Sequence, residues 1–333
     1  MYSYTTLIKG ARLIVETCMT VQPDNSVLVI ADEEHMPVAQ AVAGAAYAAG
    51  AWPVVANVTP QVTACLASLK VPMEPPPHLA AAMLNSDVIL IATNLEWANR
   101  FAHVNPVRQA VDRGAKIASI EEGMGSWDLT VADIQETVGR AERIIDALQG
   151  VNRVRVVTEK GTDVTVSIEG RPPLKVIPIK EAGVMMGPIP LWGEVAYAAV
   201  EDKTEGVIVV DGIMLGVGVP GTLPEPLRWE VKGGRAVRIT GGAAAESLLK
   251  TLAGSDANAN VVAEFAIGTS TKSSFGSPSE KGALGTVHFA LGDNSHAYPG
   301  GQSLSKLHLD GSVRDVTIEA DGKLIVERGV LKV

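Results

Sequence analysis

Four short aliphatic runs, each separated from the next by a longer helical stretch, constrain the fold of this chain most strongly. The runs are Ser26–Ala31, Pro53–Ala56, Asp87–Ala92 and Lys116–Ile120. Nearly continuous Val, Ile and Ala residues are typical of strands buried on both faces, and such strands occur in parallel sheets that are covered by helices. The N-terminal part of the chain therefore predicts an α/β domain with a mostly parallel sheet.

The pattern changes after a long helical stretch, which runs from about Val131 to Leu148 and ends at Gly150. Beyond it, alternating strand patterns flank tight turns at Lys160-Gly161, Gly233-Gly234 and Asp321-Gly322. We therefore predict two domains. Residues 1–150 form the α/β domain, and residues 151–333 form an α+β, antiparallel β-rich domain.

Composition limits the classes of partner. The chain has 333 residues, of which 47% are hydrophobic, so it can bury substantial cores. A net charge of −9 argues against nucleic acid, because affinity for nucleic acid comes mainly from clustered Lys and Arg. No apolar run approaches the roughly 18 residues that would span a bilayer, so we expect no membrane partner.

The N-terminus and the cysteines indicate a cytoplasmic protein. The first 20 residues predict an amphipathic helix, because they lack the continuous apolar core and cleavage site of a secretory signal. The two cysteines, Cys18 and Cys65, show no CxxC spacing and are expected to be buried thiols in a reducing compartment.

Acidic residues follow two strands of the predicted parallel sheet, where ligands commonly bind in such folds. They are Asp32-Glu33-Glu34 after the first strand and Glu121-Glu122 after Ile120. Either group can rim a binding cleft; alternatively both are solvated at helix N-termini, where negative charge is favourable. No GxGxxG or GxxxxGK[ST] motif follows these strands, so a nucleotide site has no support.

The segment Glu280–Asp310 contains three of the six histidines and closes on His308-Leu309-Asp310. In an extended strand alternate side chains share a face, so His308 and Asp310 project together. An imidazole and a carboxylate on one face suit a divalent cation, whereas the alternative is a surface or turn pair without a metal. His288 can bring a third ligand from a neighbouring strand.

Two further acids stand in unusual surroundings. Glu264 lies within the apolar run Asn260–Gly268, and a buried, unpaired carboxylate is costly, so a divalent metal would supply its partner. Glu194 follows a loop rich in Pro and Gly. In that loop Trp192 either carries an apolar wall to the site or fills a gap between domains.

These segments occur in the order and rough spacing of the thermophilic metallo-aminopeptidases, and the chain resembles that family, which includes aminopeptidase T and aminopeptidase S. The resemblance covers most of the chain and is specific over roughly its last 150 residues. It implies a homodimeric hydrolase that releases N-terminal residues from peptides, or cleaves a related small amide, with water activated by two ions of Zn, Co, Mn or Mg. The metal ligands that the resemblance implies are Glu194, Glu264, His288, Tyr298, His308 and Asp310.

Two assignments within this pattern stay open. Tyr298 lies farther from His288 than the family's tyrosine does from its histidine, with His296 in between, so either residue or neither reaches a metal. A carboxylate must also carry a proton to the leaving amine, and Glu280 is the candidate catalytic residue. The alternative for Glu280 is a solvated residue beside Lys281 at a loop end.

The chain also resembles 2,5-dihydroxypyridine 5,6-dioxygenase, which is related to these aminopeptidases. That resemblance implies one Fe(II) ion and the opening of a hydroxylated pyridine ring. The iron would be held by His288, His308 and Asp310, the two-His-one-carboxylate set of non-haem iron oxygenases. Glu264 replaces a histidine that this resemblance implies, and together with Glu194 it favours the hydrolase. A metal-binding module without catalysis is the third class.

Overall fold

The computed structural model describes residues 4–68, 74–94, 97–98, 101–102, 104–184 and 187–333. The chain divides into two compact units, one of residues 1–135 with 177–191 and one of residues 136–176 with 192–333. The single boundary predicted at Gly150 does not match this division, because Ile177–Leu191 belongs to the first unit.

The first unit is built on a parallel sheet. Its strands are β1 (Ser26–Ala31), β2 (Trp52–Asn57), β3 (Val88–Ala92), β4 (Lys116–Ile120) and β8 (Gly187–Ile189). They are arranged in the order β2-β1-β3-β4-β8. The four predicted strands and their parallel arrangement are confirmed. The fifth strand was not predicted, because a three-residue strand that contains a proline has no strand pattern.

Helices cover both faces of this sheet, as the sequence predicted. They are α1 (Tyr4–Arg12), α2 (Met36–Ala48), α3 (Thr59–Ser68), α4 (Pro77–Leu84) and α5 (Asn105–Asp112). Val27 and Val29 of β1 belong to a core shared with α1 and α2, whereas Leu28 and Ile30 belong to a second core shared with α3, α4 and α5. Because successive residues face opposite cores, β1 is apolar at almost every position.

Three smaller predictions concern helices and cysteines. A π-helical turn, Leu13–Cys18, follows α1 and buries the Cys18 thiol, and the side chain of Cys65 lies outside the described residues. The predicted long helix is α6 (Val131–Leu148), with the predicted bounds. Within the described ranges no helix has both the length and the apolar character that crossing a membrane requires.

The second unit contains an antiparallel sheet of eight strands in the order β12-β11-β10-β6-β5-β16-β17-β18. These are β5 (Arg153–Val157), β6 (Asp163–Ser167), β10 (Glu205–Val210), β11 (Leu227–Lys232), β12 (Arg235–Thr240), β16 (Thr317–Ala320), β17 (Lys323–Glu327) and β18 (Val330–Leu331). The predicted hairpins are confirmed as β5–β6, β11–β12 and β16–β17. The helix α7 (Gly242–Ala253) follows β12.

A second antiparallel sheet of this unit has five strands in the order β15-β14-β13-β9-β7. The strands are β7 (Leu174–Val176), β9 (Glu194–Ala198), β13 (Val262–Gly268), β14 (Val287–Gly292) and β15 (His308–Val313). Most of the predicted metal ligands lie on this sheet. The α+β, antiparallel β-rich character predicted for this half of the chain is therefore confirmed.

Candidate metal centre

Strand register places the predicted ligands on one face of the five-stranded sheet. Glu264 of β13 and Asp310 of β15 both pair with Ala290 of β14, and directly paired residues project to the same side. His288 lies two residues from Ala290, and His308 lies two residues from Asp310, so both histidines share this face. Three neighbouring strands thus bring two carboxylates and two imidazoles together.

Glu194 reaches the same face from β9. It pairs with Gly268, which lies four residues after Glu264 on β13. The residues between the ligands on this face are small: Ala196, Ala198, Ala266, Gly268, Ala290 and Gly292. The opposite face is apolar and includes the rings of Phe265 and Phe289, whose centroids lie 5.8 Å apart. Small side chains therefore flank the ligands on this face, while aromatic and aliphatic side chains form the apolar face.

The ligand atoms form two groups of three that share Glu264. The first group is Glu194, Glu264 and His288, and the second is Glu264, His308 and Asp310; within each group the ligand atoms lie within 4.8 Å of one another. One oxygen of Glu264 is 3.2 Å from His288 Nε2, and its other oxygen is 3.0 Å from His308 Nε2. Glu264 therefore lies between the two candidate ligand groups and belongs to both.

The hydrogen bonds of Nδ1 in each histidine leave Nε2 directed at the carboxylates. His308 Nδ1 lies 2.7 Å from the carbonyl oxygen of Asp293, and His288 Nδ1 lies 3.3 Å from that of Lys281. A carbonyl only accepts, so Nδ1 carries a proton and Nε2 of the neutral ring presents its lone pair. His308 Nε2 faces two carboxylate oxygens at 3.0 and 3.1 Å. Such oxygens are satisfied by a proton on Nε2 in the metal-free protein, or by a divalent ion that displaces this proton.

Two buried carboxylate oxygens point to the same conclusion. Glu194 Oε2 and Asp310 Oδ1 accept no hydrogen bond from any residue that the structure describes. His308 Nε2 lies 3.1 Å from Asp310 Oδ1 as an ion-pair partner, whereas His288 Nε2 lies 3.9 Å from Glu194 Oε2. A buried carboxylate oxygen that lacks a hydrogen bond is costly. Three carboxylates and two imidazoles are the donor types that zinc and similar divalent ions prefer, so the residues present fit a divalent metal centre.

The charges of the cluster shift the pKa values of its members in opposite directions. Burial raises the pKa of Glu194 to about 7, against the lowering effect of His288. Burial would also raise the pKa of Glu264, but His288 and His308 outweigh burial and lower the pKa of Glu264 to about 2. Burial alone would lower the pKa of each histidine, yet the carboxylates raise both above 6.5. The metal-free cluster thus holds protons that a metal must displace.

Tyr298 lies at the cluster, whereas His296 does not belong to either ligand group. The Tyr298 hydroxyl is 3.2 Å from His308 Nε2, and the two rings stack with centroids 5.4 Å apart. Burial and the negative charges of Glu264 and Asp310 raise the pKa of Tyr298 well above 10. His296 is exposed, and its Nδ1 lies 3.0 Å from a carboxylate oxygen of Asp293. Tyr298 therefore contacts a member of the ligand groups, and whether Tyr298, His296 or neither binds a metal stays a prediction.

The contacts of Glu280 do not fit the predicted role of proton carrier. Glu280 is fully buried in the 3-10 turn Pro278–Gly282, and Arg314 donates to both of its oxygens at 2.8 and 2.6 Å. The Ser312 hydroxyl and the Gly276 N–H also donate to it. Burial would raise the pKa of Glu280, but Arg314 and the other donors outweigh it and lower the pKa. Both oxygens of Glu280 are thus held by Arg314, which favours a structural role, and its role as proton carrier stays a prediction.

Lys281 is the site residue that sequence reasoning missed. Its ammonium donates a hydrogen bond to Asp310 Oδ2 and lies 4.9 Å from the centre of the Trp192 ring. Burial would lower its pKa, but Asp310 and Glu194 outweigh burial and raise it. A lysine in a polar loop is usually exposed, so nothing in the local sequence pointed to a buried position.

Fold and site together define a class, an α/β protein with a carboxylate–histidine metal centre on an antiparallel sheet. The chain belongs to the NicX family, that of 2,5-dihydroxypyridine 5,6-dioxygenase, whose model matches residues 7–333. The chain is thus a member of a family of enzymes. A comparison with curated proteins found no match.

Two solved structures share the fold. One is 2,5-dihydroxypyridine dioxygenase from Pseudomonas putida KT2440, with a TM-score of 0.79 and 18% identity over 99% of this chain and 98% of that chain. The other is wild-type AmpT from Thermus thermophilus, with a TM-score of 0.70 and 17% identity over 99% of each chain. The predicted relation to both groups is supported. The family match is to the dioxygenase, whereas the likeness to AmpT is one of fold.

Proposed function

We propose that the protein is a metal-dependent hydrolase that cleaves an amide bond at a two-metal centre, in the first instance the N-terminal peptide bond of a small peptide. The observation that carries this proposal is the position of Glu264, whose two oxygens face His288 on one side and His308 on the other. A carboxylate shared by two ligand groups suits two ions about 3.5–4 Å apart, which is the spacing of two-metal hydrolytic sites.

The composition of the two groups also favours hydrolysis. Each group contains one histidine and two carboxylates. A mononuclear iron oxygenase of the two-His-one-carboxylate type needs both histidines on one ion. Glu264 lies between His288 and His308, so it separates them into different groups.

When bound, two divalent ions would polarise the amide carbonyl and lower the pKa of a water molecule. The chain's own residues hold and orient these ions, and they shape access to them. His308 is the most exposed of the five donors, with 24% of its side chain accessible, against 2% for His288. Substrate would therefore approach from the His308 side, beside the stacked ring of Tyr298. Substrate type and homodimer formation stay predictions.

A ring-cleaving Fe(II) dioxygenase is the second candidate. The family match over residues 7–333 favours it, and so does the higher TM-score of the dioxygenase structure, 0.79 against 0.70. In that case His288, His308 and Asp310 would hold one Fe(II), and a hydroxylated pyridine would be the substrate. Glu264 would then be an additional acid between the two histidines.

A paired assay tests the two functions on the same preparation. Metal-free protein is loaded either with Zn, Co, Mn or Mg in excess, or with one equivalent of Fe(II) without oxygen. Each form is then given aminoacyl anilides and dipeptides, and separately 2,5-dihydroxypyridine with oxygen. We expect release of the amine with the first set of ions and no oxygen uptake with iron. Oxygen uptake with one Fe(II) per chain, without amide cleavage, would replace the hydrolase by the dioxygenase.

A further inference from the structure

We infer that the two metal positions differ in their affinity for a divalent ion. Lys281 is the positioning residue that causes this difference. The buried position, formed by Glu194, Glu264 and His288, holds an ion tightly. The outer position, formed by Glu264, His308 and Asp310, holds an ion more weakly and exchanges it. This inference rests on the metal centre of the proposed function and goes beyond it, because nothing in a two-metal mechanism requires unequal sites.

Burial is the first observation that separates the positions. All three members of the buried position are shielded, and 8% or less of each side chain is accessible. In the outer position His308 is 24% accessible. The surroundings of a metal site control solvent access, so water and competing ligands reach an ion at the outer position first.

The contacts of Lys281 are the second observation. Its ammonium hydrogen-bonds to Asp310 Oδ2, so that only the other oxygen of Asp310 is left to face His308. Glu194 Oε2, in contrast, accepts no hydrogen bond from the residues that the structure describes. A fixed positive charge repels a nearby cation with an energy that grows as the distance falls. The ammonium also interacts with Glu194 at longer range, but it contacts Asp310 directly and interacts with it most strongly, so it weakens the outer position more than the buried one.

The formal charges of the cluster lead to the same order of filling. With neutral histidines, the three carboxylates and the one ammonium leave two negative charges. One bound divalent ion brings the net charge of the cluster to zero. A second ion therefore binds to a cluster that has no net negative charge. The first ion is thus held by electrostatic attraction and by ligand bonds, and the second mainly by ligand bonds.

Lys281 offers a clean test, because its two roles lie on different parts of the residue. The backbone carbonyl faces His288 Nδ1 at 3.3 Å, and the ammonium binds Asp310. A side-chain substitution leaves the carbonyl contact in place. Lys281→Met removes the charge while keeping an unbranched chain of similar length, and Lys281→Arg keeps the charge as the matched control.

The experiment is a competition titration of metal-free full-length protein with Zn²⁺ against a chromophoric chelator. We expect wild type to bind two ions, the second at least about tenfold more weakly than the first, as is typical of coupled sites. Lys281→Met should bind the second ion at least about tenfold more tightly than wild type does, and Lys281→Arg should retain the unequal pattern. Equal affinities in wild type, or weaker binding of the second ion in Lys281→Met, would overturn the inference.

Two further variants decide the question if Lys281→Met does not fold. His308→Ala should keep one tightly bound Zn²⁺, whereas His288→Ala should lose the tight ion and bind zinc only weakly. The reverse order would contradict the inference and leave the two-metal centre standing. A wild-type protein that binds no zinc would overturn both the inference and the proposed function.

Discussion

The acids of the two units are satisfied in different ways. In the parallel-sheet unit Asp32 follows β1, and its oxygens accept hydrogen bonds from the backbone N–H groups of His35 at 3.0 Å and Asn94 at 3.1 Å. On the five-stranded sheet Glu194 and Asp310 each keep a buried oxygen that accepts no hydrogen bond within the described ranges. Backbone N–H groups satisfy the acid in the parallel-sheet unit, and a divalent cation would satisfy the acids on the five-stranded sheet.

This difference shows that hydrogen-bond partners identify the site better than position in the fold does. The carboxyl edge of a parallel sheet is a common place for ligands, and acids do lie there. Asp32 and Glu121 nevertheless accept hydrogen bonds from backbone N–H groups, which supports a structural role for both. Glu280 makes the same point within the second unit, since Arg314 holds both of its oxygens.

The largest expected effect is the loss of metal from Glu264→Gln. The substitution removes the carboxylate that both ligand groups share, so affinity at both positions should fall by more than the roughly 100-fold upper range seen for outer-shell changes. Elemental analysis of protein purified without chelators measures the metal content per chain. The matched control is Asp32→Asn, an acid-to-amide change in the other unit that should leave metal content unchanged. Two ions retained in Glu264→Gln would break the comparison between the two kinds of acid.

Glu280→Gln should destabilise the protein and leave the metal in place. Removing the carboxylate should cost up to about 3 kcal/mol in the free energy of unfolding, because Arg314 loses its charged partner but is 21% accessible and still donates to the Thr222 hydroxyl. Folding lowers the pKa of Glu280 below its ordinary value of 4.5. The ionised Glu280 therefore contributes to the free energy of unfolding above pH 4.5, and this contribution is lost as pH falls through the lowered pKa. Urea unfolding at neutral and acidic pH measures both effects. A stable variant without activity would instead restore the role of proton carrier.

Removal of metal should destabilise the wild type by a smaller amount. An ion present at 100 times its dissociation constant stabilises the folded state by about 2.7 kcal/mol, and a chelator removes that contribution. Thermal unfolding with and without the chelator measures the difference, and Glu264→Gln should not respond. An unchanged wild-type melting temperature would contradict metal binding at the cluster. The buried oxygens of Glu194 and Asp310 that accept no hydrogen bond among the described residues would then need a different explanation.

The smallest expected effect, counted per pH unit and per proton displaced, is the dependence of metal affinity on pH. The carboxylates raise the pKa of His288 and His308 above 6.5 in the metal-free protein. Protonated histidines therefore stabilise the metal-free protein fully below pH 6.5, and this stabilisation is lost as pH rises through the raised pKa values. A metal competes with these protons, so its apparent affinity should rise with pH. The expected slope is about tenfold per pH unit for each proton displaced. An affinity independent of pH between 6 and 8 would mean that neither histidine is a ligand.

Local patterns explain how much of the fold the sequence predicted. The strands β1 and β4 and the helix α6 have the predicted bounds, because continuous aliphatic runs and a helical repeat are properties of neighbouring residues. The short strand β8 could not be predicted, since its place in the sheet depends on its pairing with β4 and not on its own sequence.

The site was predicted where its residues follow strand alternation, and missed where they depend on distant partners. Glu264 and the pair His308 and Asp310 stand out by period and by burial among apolar residues. Glu280 and Lys281 are adjacent in one turn, and their partners lie 34 and 29 residues away. The local sequence therefore does not show that Glu280 pairs with an arginine, or that Lys281 is the residue of this turn that contacts the ligand cluster.

Anomalous X-ray diffraction from crystals grown with excess Zn²⁺ or Mn²⁺ tests the central claim most directly. The account predicts two peaks about 3.5–4 Å apart, with Glu264 between them, Glu194 and His288 on one ion, and His308 and Asp310 on the other. A single peak bound by His288, His308 and Asp310, with Glu264 turned away, would contradict the two-metal centre and favour the iron dioxygenase.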